Sequence, residues 1–322
     1  MRTANKLLAM MAVLSLLGCE EKVDEQPAAE KPAADRAAGA TTVSTGASKI
    51  SVELIEPGAE PRRALRYDFS KAEAQTFKMI MDMAMAIQLG AMNQPRTELP
   101  PVHMVMKVEP QQVTPDGELR YRFDLTSTGL DESAGADPRM VEAMRAELKK
   151  TEGMSGWALV DERGFTKKAD ISVPAGAGAQ LKDLVNRMKN QIEQMSAPLP
   201  EKPVGVGARW VVTQPVSNEM LKFSQKATYE LKAIEGDVIE MHIDIAQEAP
   251  PQDIEAPGMG GASARLVALK SAGSGRTTVD LNELVPTSEI STSMTMEVEI
   301  RAQGQRQNMT TTIDIDMQIL PQ

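Results

Sequence analysis

From about Arg62 onward, apolar and polar residues alternate over long stretches, the period of strands that bury one face. Phe77, Met79, Met81, Met83, Met85 and Ile87 alternate with smaller or polar partners, and Val102, Met104, Met106 and Val108 repeat the pattern. Leu119, Tyr121, Phe123 and Leu125 alternate with Arg120, Arg122 and Asp124, and Ile239, Met241, Ile243 and Ile245 alternate with Glu240, His242 and Asp244. Near the end, Met294 to Ile300 and Ile313 to Ile319 predict a terminal hairpin around Gly304. The short apolar run Ile50 to Ile55 is either an edge strand or nothing.

Two segments change to the helical period. Asp137-Pro138 caps a run with Met140, Met144 and Leu148 on one face and Gly153 after it, which predicts a helix over 139 to 152. Leu181, Leu184, Val185, Met188, Ile192 and Met195 form a second stripe that ends before Pro198, predicting a helix over 180 to 196. A one-faced sheet with two one-faced helices gives an α+β fold: a large curved antiparallel β-sheet, an open or half barrel, with two amphipathic helices packed on it.

A faint echo recurs at a spacing of roughly 120 residues. Gly156-x-x-x-Val160-Asp161 returns as Gly275-x-x-x-Val279-Asp280, and Phe123-Asp124-Leu125 returns as Ile243-Asp244-Ile245. Residues 61 to 322 are thus read as a β-rich domain, either as one large unit or as two similar halves, 62 to 200 and 203 to 322.

The amino-terminal residues change the picture from a domain to an address. Arg2 and Lys6 form a basic start, and Leu7 to Leu17 an apolar stretch of signal-peptide length, too short to span a membrane. From Cys19 to residue 60 the chain is mostly Ala, Pro, Glu, Lys, Thr and Ser, a composition expected to serve as a disordered tether. Cys19 is the only cysteine, which excludes an internal disulfide and leaves no second thiol for chemistry. Losing Arg2 and Lys6 with the leader takes the basic count from 35 to 33 against 45 acids, a net charge of −12. That acidity, with no Lys/Arg run, argues against nucleic acid as a partner.

Leu16-Leu17-Gly18-Cys19 resembles the lipobox of bacterial lipoproteins. The resemblance implies cleavage between Gly18 and Cys19, a diacyl group on the Cys19 thiol, acylation (palmitate) of the new amino terminus, and attachment to a membrane through that lipid. Glu20 in place of Asp lacks the usual inner-membrane retention signal, which implies the outer membrane of the cell envelope. Further along, Leu65-Arg66-Tyr67-Asp68-Phe69, the segment Pro203-Val204-Gly205-Val206-Gly207-Ala208-Arg209-Trp210 and Gly275-x-x-x-Val279-Asp280 resemble an uncharacterised family of bacterial envelope lipoproteins, a domain of unknown function, over residues 62 to 320. At the level of fold pattern alone the chain is similar to the lipid and lipoprotein carriers of the LolA, LolB and LppX type, whose sheet curls around an apolar cavity.

The chemistry available is sparse. The protein has 22 methionines; Met79, Met81, Met83 and Met85 share one strand face, which reads as a core wall, as an adaptable lining for an apolar guest, or, because thioethers suit Cu(I), as a copper site with His103 nearby. The candidate apolar lining is Met81, Met83, Met104, Leu184 and Met188, taking a lipid or another apolar ligand. The alternative is a solid-cored structural lipoprotein that meets another envelope protein. His103 and His242, the only histidines, fall at outward strand positions without a catalytic motif beside them. Asp314 with Asp316 reads as a solvated strand face and Asp161 with Glu162 as a turn. The loop Pro257 to Gly261 lacks the Lys of a phosphate cradle. No catalytic residue, metal site or cofactor is therefore assigned, and the chain is read as non-enzymatic.

In cells given labelled palmitate, the protein is expected to take up label, and Cys19→Ser is expected to abolish uptake and leave the leader in place. Full labelling of the Cys19→Ser protein would overturn the lipoprotein reading.

Overall fold

The structure, a computed structural model, describes residues 50–131, 137–172, 198–217, 221–254, 263–302 and 305–322. The strands are β1 (Ser51–Glu56), β2 (Gln75–Leu89), β3 (Met92–Asn93), β4 (Thr97–Glu98), β5 (Val102–Val113), β6 (Leu119–Leu130), β7 (Ser155–Val160), β8 (Thr166–Ser172), β9 (Arg209–Ser217), β10 (Lys222–Glu235), β11 (Val238–Ala249), β12 (Gln252–Ile254), β13 (Ser263–Asp280), β14 (Thr287–Ala302) and β15 (Gln305–Pro321). They form one open antiparallel sheet in the order β1-β9-β10-β11-β13-β14-β15-β2-β5-β6-β7-β8, with β3 and β4 added to β2 and β12 to β13. Of the two readings of the run from Ile50, the edge strand holds: Ser51–Glu56 pairs with β9 along one edge of the sheet.

Among the described residues there is one α-helix rather than two, α1 (Pro138–Lys149). The predicted second helix, 180 to 196, lies outside the described residues, as do Cys19, Gly304 and the loop Pro257 to Gly261. The Asp137 side chain accepts from the Arg139 N–H and Pro138 occupies the first turn, as the sequence cue requires, but the helix stops short of residue 152. Met140, Met144 and Leu148 are half-buried, and no residue of α1 is fully buried.

The two halves of the sheet repeat the same pairings. Phe123 faces Gly156, which faces Ile171; Ile243 faces Gly275, which faces Ile290. The register slips between Pro110 and Gln112 in β5 and between Leu231 and Ala233 in β10, so a bulge falls at the matching place of each half. A Cβ on Gly156 would sit 2.3 Å from the Asp170 carbonyl oxygen, and one on Gly275 would sit 2.4 Å from that of Glu289. In both halves glycine admits a neighbouring strand that no side chain would allow. Position by position, β1 stands beside β9 as β15 stands beside β2. The strand order is therefore two sets of six, each opened by a strand from one end of the chain.

One end of the sheet is tied by two segments that belong to neither edge. Arg63 and Val204 exchange backbone hydrogen bonds at 3.0 and 2.9 Å. The Tyr67 N–H donates to the Glu162 carbonyl and the Asp68 N–H to the Leu281 carbonyl, both at 2.8 Å, so adjacent residues hold the corresponding turns of the two halves. Arg66 extends the tie, donating to the carbonyls of Pro200 (3.0 Å) and Glu201 (2.8 Å) and to Glu162 Oε1 (3.1 Å). Gly205 lies so close to Ala59 that a Cβ would be 1.8 Å from its carbonyl oxygen. Beneath the tie, Leu65, Leu199, Val204 and Trp210 form the best-buried part of the core; Trp210 stacks on Tyr229 and its Nε1–H donates to the Pro198 carbonyl at 3.2 Å.

All three tyrosines of the protein, Tyr67, Tyr121 and Tyr229, pack in these clusters. Burial of the phenol pushes Tyr67 and Tyr121 up to about 12 and Tyr229 higher still, even though Tyr67 and Tyr121 as whole residues are only half-buried. Between pH 10, where a free tyrosine ionises, and 12 the folded protein holds protons that the unfolded chain loses. Stability is therefore complete below this window and falls as pH rises through it. Phenolate absorbance of the folded protein is expected to stay flat through pH 10 and to rise together with loss of structure; a tyrosine titrating near 10 in the folded state would contradict the packing.

Candidate ligand-binding face

The face of the sheet that carries Trp210 continues in register across the molecule. One row runs Trp210, Tyr229, Ile243, Gly275, Ile290, Met317, Met81 and Val102. The next runs Val212, Ala227, Ile245, Gly273, Thr292, Ile315 and Met83, and the one after it Gln214, Gln225, Gln247, Ser271, Met294, Ile313 and Met85. We call this the inner face. Residues two apart on a strand share a face, so the alternation that predicts each strand also determines which side chains meet here.

The inner face is unevenly filled. Near the tied end it is closed by the Trp210 cluster and by Phe77, Val108, Phe123, Leu125 and Met154, and at the other end Leu266, Leu269 and Val298 form a smaller cluster. Between them, Met81, Met83, Met85, Ile313, Ile315 and Met317 remain only half-buried. Of the five residues proposed as lining, Met81, Met83 and Met104 come together on this face. Met104 pairs with Met79 and leans against the Phe77 cluster, whereas Met81 and Met83 lie in the half-covered middle. Leu184 and Met188 lie outside the described residues.

Gln214, Gln225, Gln247 and Ser271 are not among the residues that the sequence pattern marks, yet they put a polar line across the same face. Gln247 Nε2 donates to Gln225 Oε1 at 2.7 Å. Gln214 is 3% exposed, between Val212 and Val216, and its Nε2 finds no hydrogen-bond partner among the described residues. A buried polar group without a partner costs about 1–3 kcal/mol, and an exchange of the amide O and N positions would leave the other atom in the same place. The available signal was a glutamine continuing an apolar alternation, Trp210-x-Val212-x-Gln214, in place of the next hydrophobic residue.

The opposite, outer face is polar. Ser293 Oγ donates to Asp314 at 2.6 Å, Ser291 donates to Asp316, and Arg96 pairs with Asp314 at 3.0 Å. An open hollow of about 500 Å³ there is lined by small and acidic residues, including Ala272, Ser274, Asp314 and Asp316. It is not the Met-lined hollow that the sequence pattern anticipates. His103 Nδ1 lies 3.3 Å from Asp131 and its ring rests over Gly129, while His242 Nε2 lies 3.3 Å from the exposed Asp244. Asp161 holds its turn by accepting from the Arg163 and Phe165 N–H groups, and Glu162 pairs with Arg66. Both carboxylates thus serve the turn and the tie, as structural groups do.

Residues 177–318 match the model of a family of unknown function (DUF6263). The match covers a little under half of the chain and takes in β9 to β14 and most of β15. It is narrower than the resemblance over 62 to 320, and Leu65 to Phe69 lie outside it. No curated protein matches the chain.

Gln214→Leu removes the unpaired group while roughly keeping its volume. It is expected to raise stability to urea by about 1 kcal/mol; a loss of that size would show that the amide is already satisfied in the folded protein.

Proposed function

We propose that the chain is a lipid-anchored lipoprotein of the bacterial cell envelope, attached through Cys19 and directed to the outer membrane, and that its sheet is a non-enzymatic module for a lipid or another apolar ligand. The observation that carries the binding reading is the half-covered run of Met81, Met83, Met85, Ile313, Ile315 and Met317 between two closed clusters of one continuous face. Methionine is unbranched and polarisable, so a face rich in it adapts to chains of varying shape better than one of branched side chains alone. The likeness to envelope lipid carriers in strand pattern points the same way, as analogy. No helix among the described residues is long and apolar enough to cross a membrane, and the proposed attachment needs none, because acyl chains supply it.

The test is a photoreactive benzophenone amino acid at Met83 in the full chain, irradiated in cells, with Ser293 on the outer face as the control position. A glycerolipid adduct at Met83 and none at Ser293 is the expected result. Adducts to an envelope protein at either position, without lipid, would favour a protein-interaction role instead, and lipid at both positions equally would mean only that the protein lies near a membrane.

A further inference from the structure

The half-covered face has a polar row at one side, and the two together restrict what it can take. We propose that Gln214, Gln225, Gln247 and Ser271 receive an uncharged carbonyl, so that the face binds the acyl-ester part of a membrane glycerolipid in preference to free fatty acid. This inference rests on the lipid-binding reading above and specifies its ligand.

Three observations carry it. First, the Gln214 amide is buried between Val212 and Val216 and has a hydrogen-bond group without a partner among the described residues. Folding leaves such a group unpaired at a cost, and with the amide oriented so that Nε2 is the unpaired atom, an acceptor brought by a guest would complete it. Secondly, the row is continuous in register: Gln214 faces Gln225, Gln225 faces Gln247 and accepts from it, and Gln247 faces Ser271. Beyond Ser271 the same row turns apolar, through Met294, Ile313 and Met85. A molecule lying along the row would meet amides at one end and thioether and hydrocarbon at the other, the division of an ester carbonyl and its acyl chain.

Thirdly, charge selects among acyl compounds. The rows that begin at Trp210, Val212 and Gln214 contain no Lys, Arg, Asp or Glu as far as β2. A carboxylate placed there would lose its hydration without gaining an opposite charge, whereas an ester carbonyl needs only a hydrogen-bond donor. The unpaired amide can give one; amides alone compensate an anion poorly.

The test uses the full chain in vesicles of its own membrane and two photoreactive probes of equal chain length, a diazirine-bearing monopalmitoylglycerol and diazirine-bearing palmitate, at about pH 9 so that the acid is ionised. Labelling is read on the peptides of β2 and β15. The ester probe is expected to label them roughly tenfold more than the acid, the scale of one hydrogen bond, and Gln214→Leu is expected to bring the two toward equality without loss of the folded tyrosine titration. Gln214→Met, closer in length, serves if the leucine variant does not fold. Equal labelling by both probes in the wild type, or a preference that survives loss of the amide, overturns the role of the glutamine row while leaving lipid binding in place. Absence of label from both peptides overturns the lipid-binding reading beneath it.

Discussion

The backbone hydrogen bonds from Tyr67 to Glu162 and from Asp68 to Leu281 are what the rest of the structure depends on. Antiparallel sheets twist, and a path of twelve strands with two free edges has no bond of its own to fix how far it curls. Leu65 to Phe69 supply that missing constraint from inside. Adjacent N–H groups reach corresponding turns of the two sets of six strands, and Leu65 and Phe69 on either side are buried in different clusters. Because the donors are backbone groups held by a stacked Tyr67–Phe69 pair, the distance between the halves is set to within a hydrogen bond. Strand register sets the position of the methionines relative to the glutamines, and the tie sets how the two halves that carry them are held at one end.

The strands most legible in the sequence are those with an unbroken run of large apolar inner positions. Gln75 to Leu89 extends the alternation that predicts it by two residues at each end, whereas Thr287 to Ala302 and Gln305 to Pro321 begin seven and eight residues before theirs, through inner positions that include Thr292 and Thr311. The strand Ser263 to Asp280 is the longest in the sheet and the least legible. Its bulge leaves Val267 exposed and shifts the phase, and several inner positions beyond it are Ser271, Gly273, Gly275 and Thr277. A face made partly of glycine and hydroxyl groups has no hydrophobic period to read. Pairing was hidden for another reason: that β2 lies beside β15 is a contact across most of the chain, and no local pattern encodes it. The same holds for the candidate site. Single strands gave Met81, Met83 and Met104, but the glutamine row exists only once three strands are set in register.

The inner face thus combines two unlike solutions to burial. Around Trp210 the side chains are closely packed, and the indole Nε1–H is paired with the Pro198 carbonyl. In the middle the sheet leaves thioethers half-covered and one amide incomplete. A protein selected for stability alone would fill the first gap with branched residues and replace the second with leucine. Both lie on one face, in adjoining rows, where the proposed ligand would cover them.

The arrangement of the halves has a consequence for the order in which the protein can be made. Each set of six strands opens with a strand distant from it in the chain: β1 precedes the other described strands and is placed beside β9, and β15 follows them and is placed beside β2. The first half therefore waits, with the methionine-rich β2 unpaired along one side, until β15 has emerged. Neither half can be completed by its own contiguous segment, so the sheet is completed as one unit only once β15 is available, rather than half by half along the growing chain.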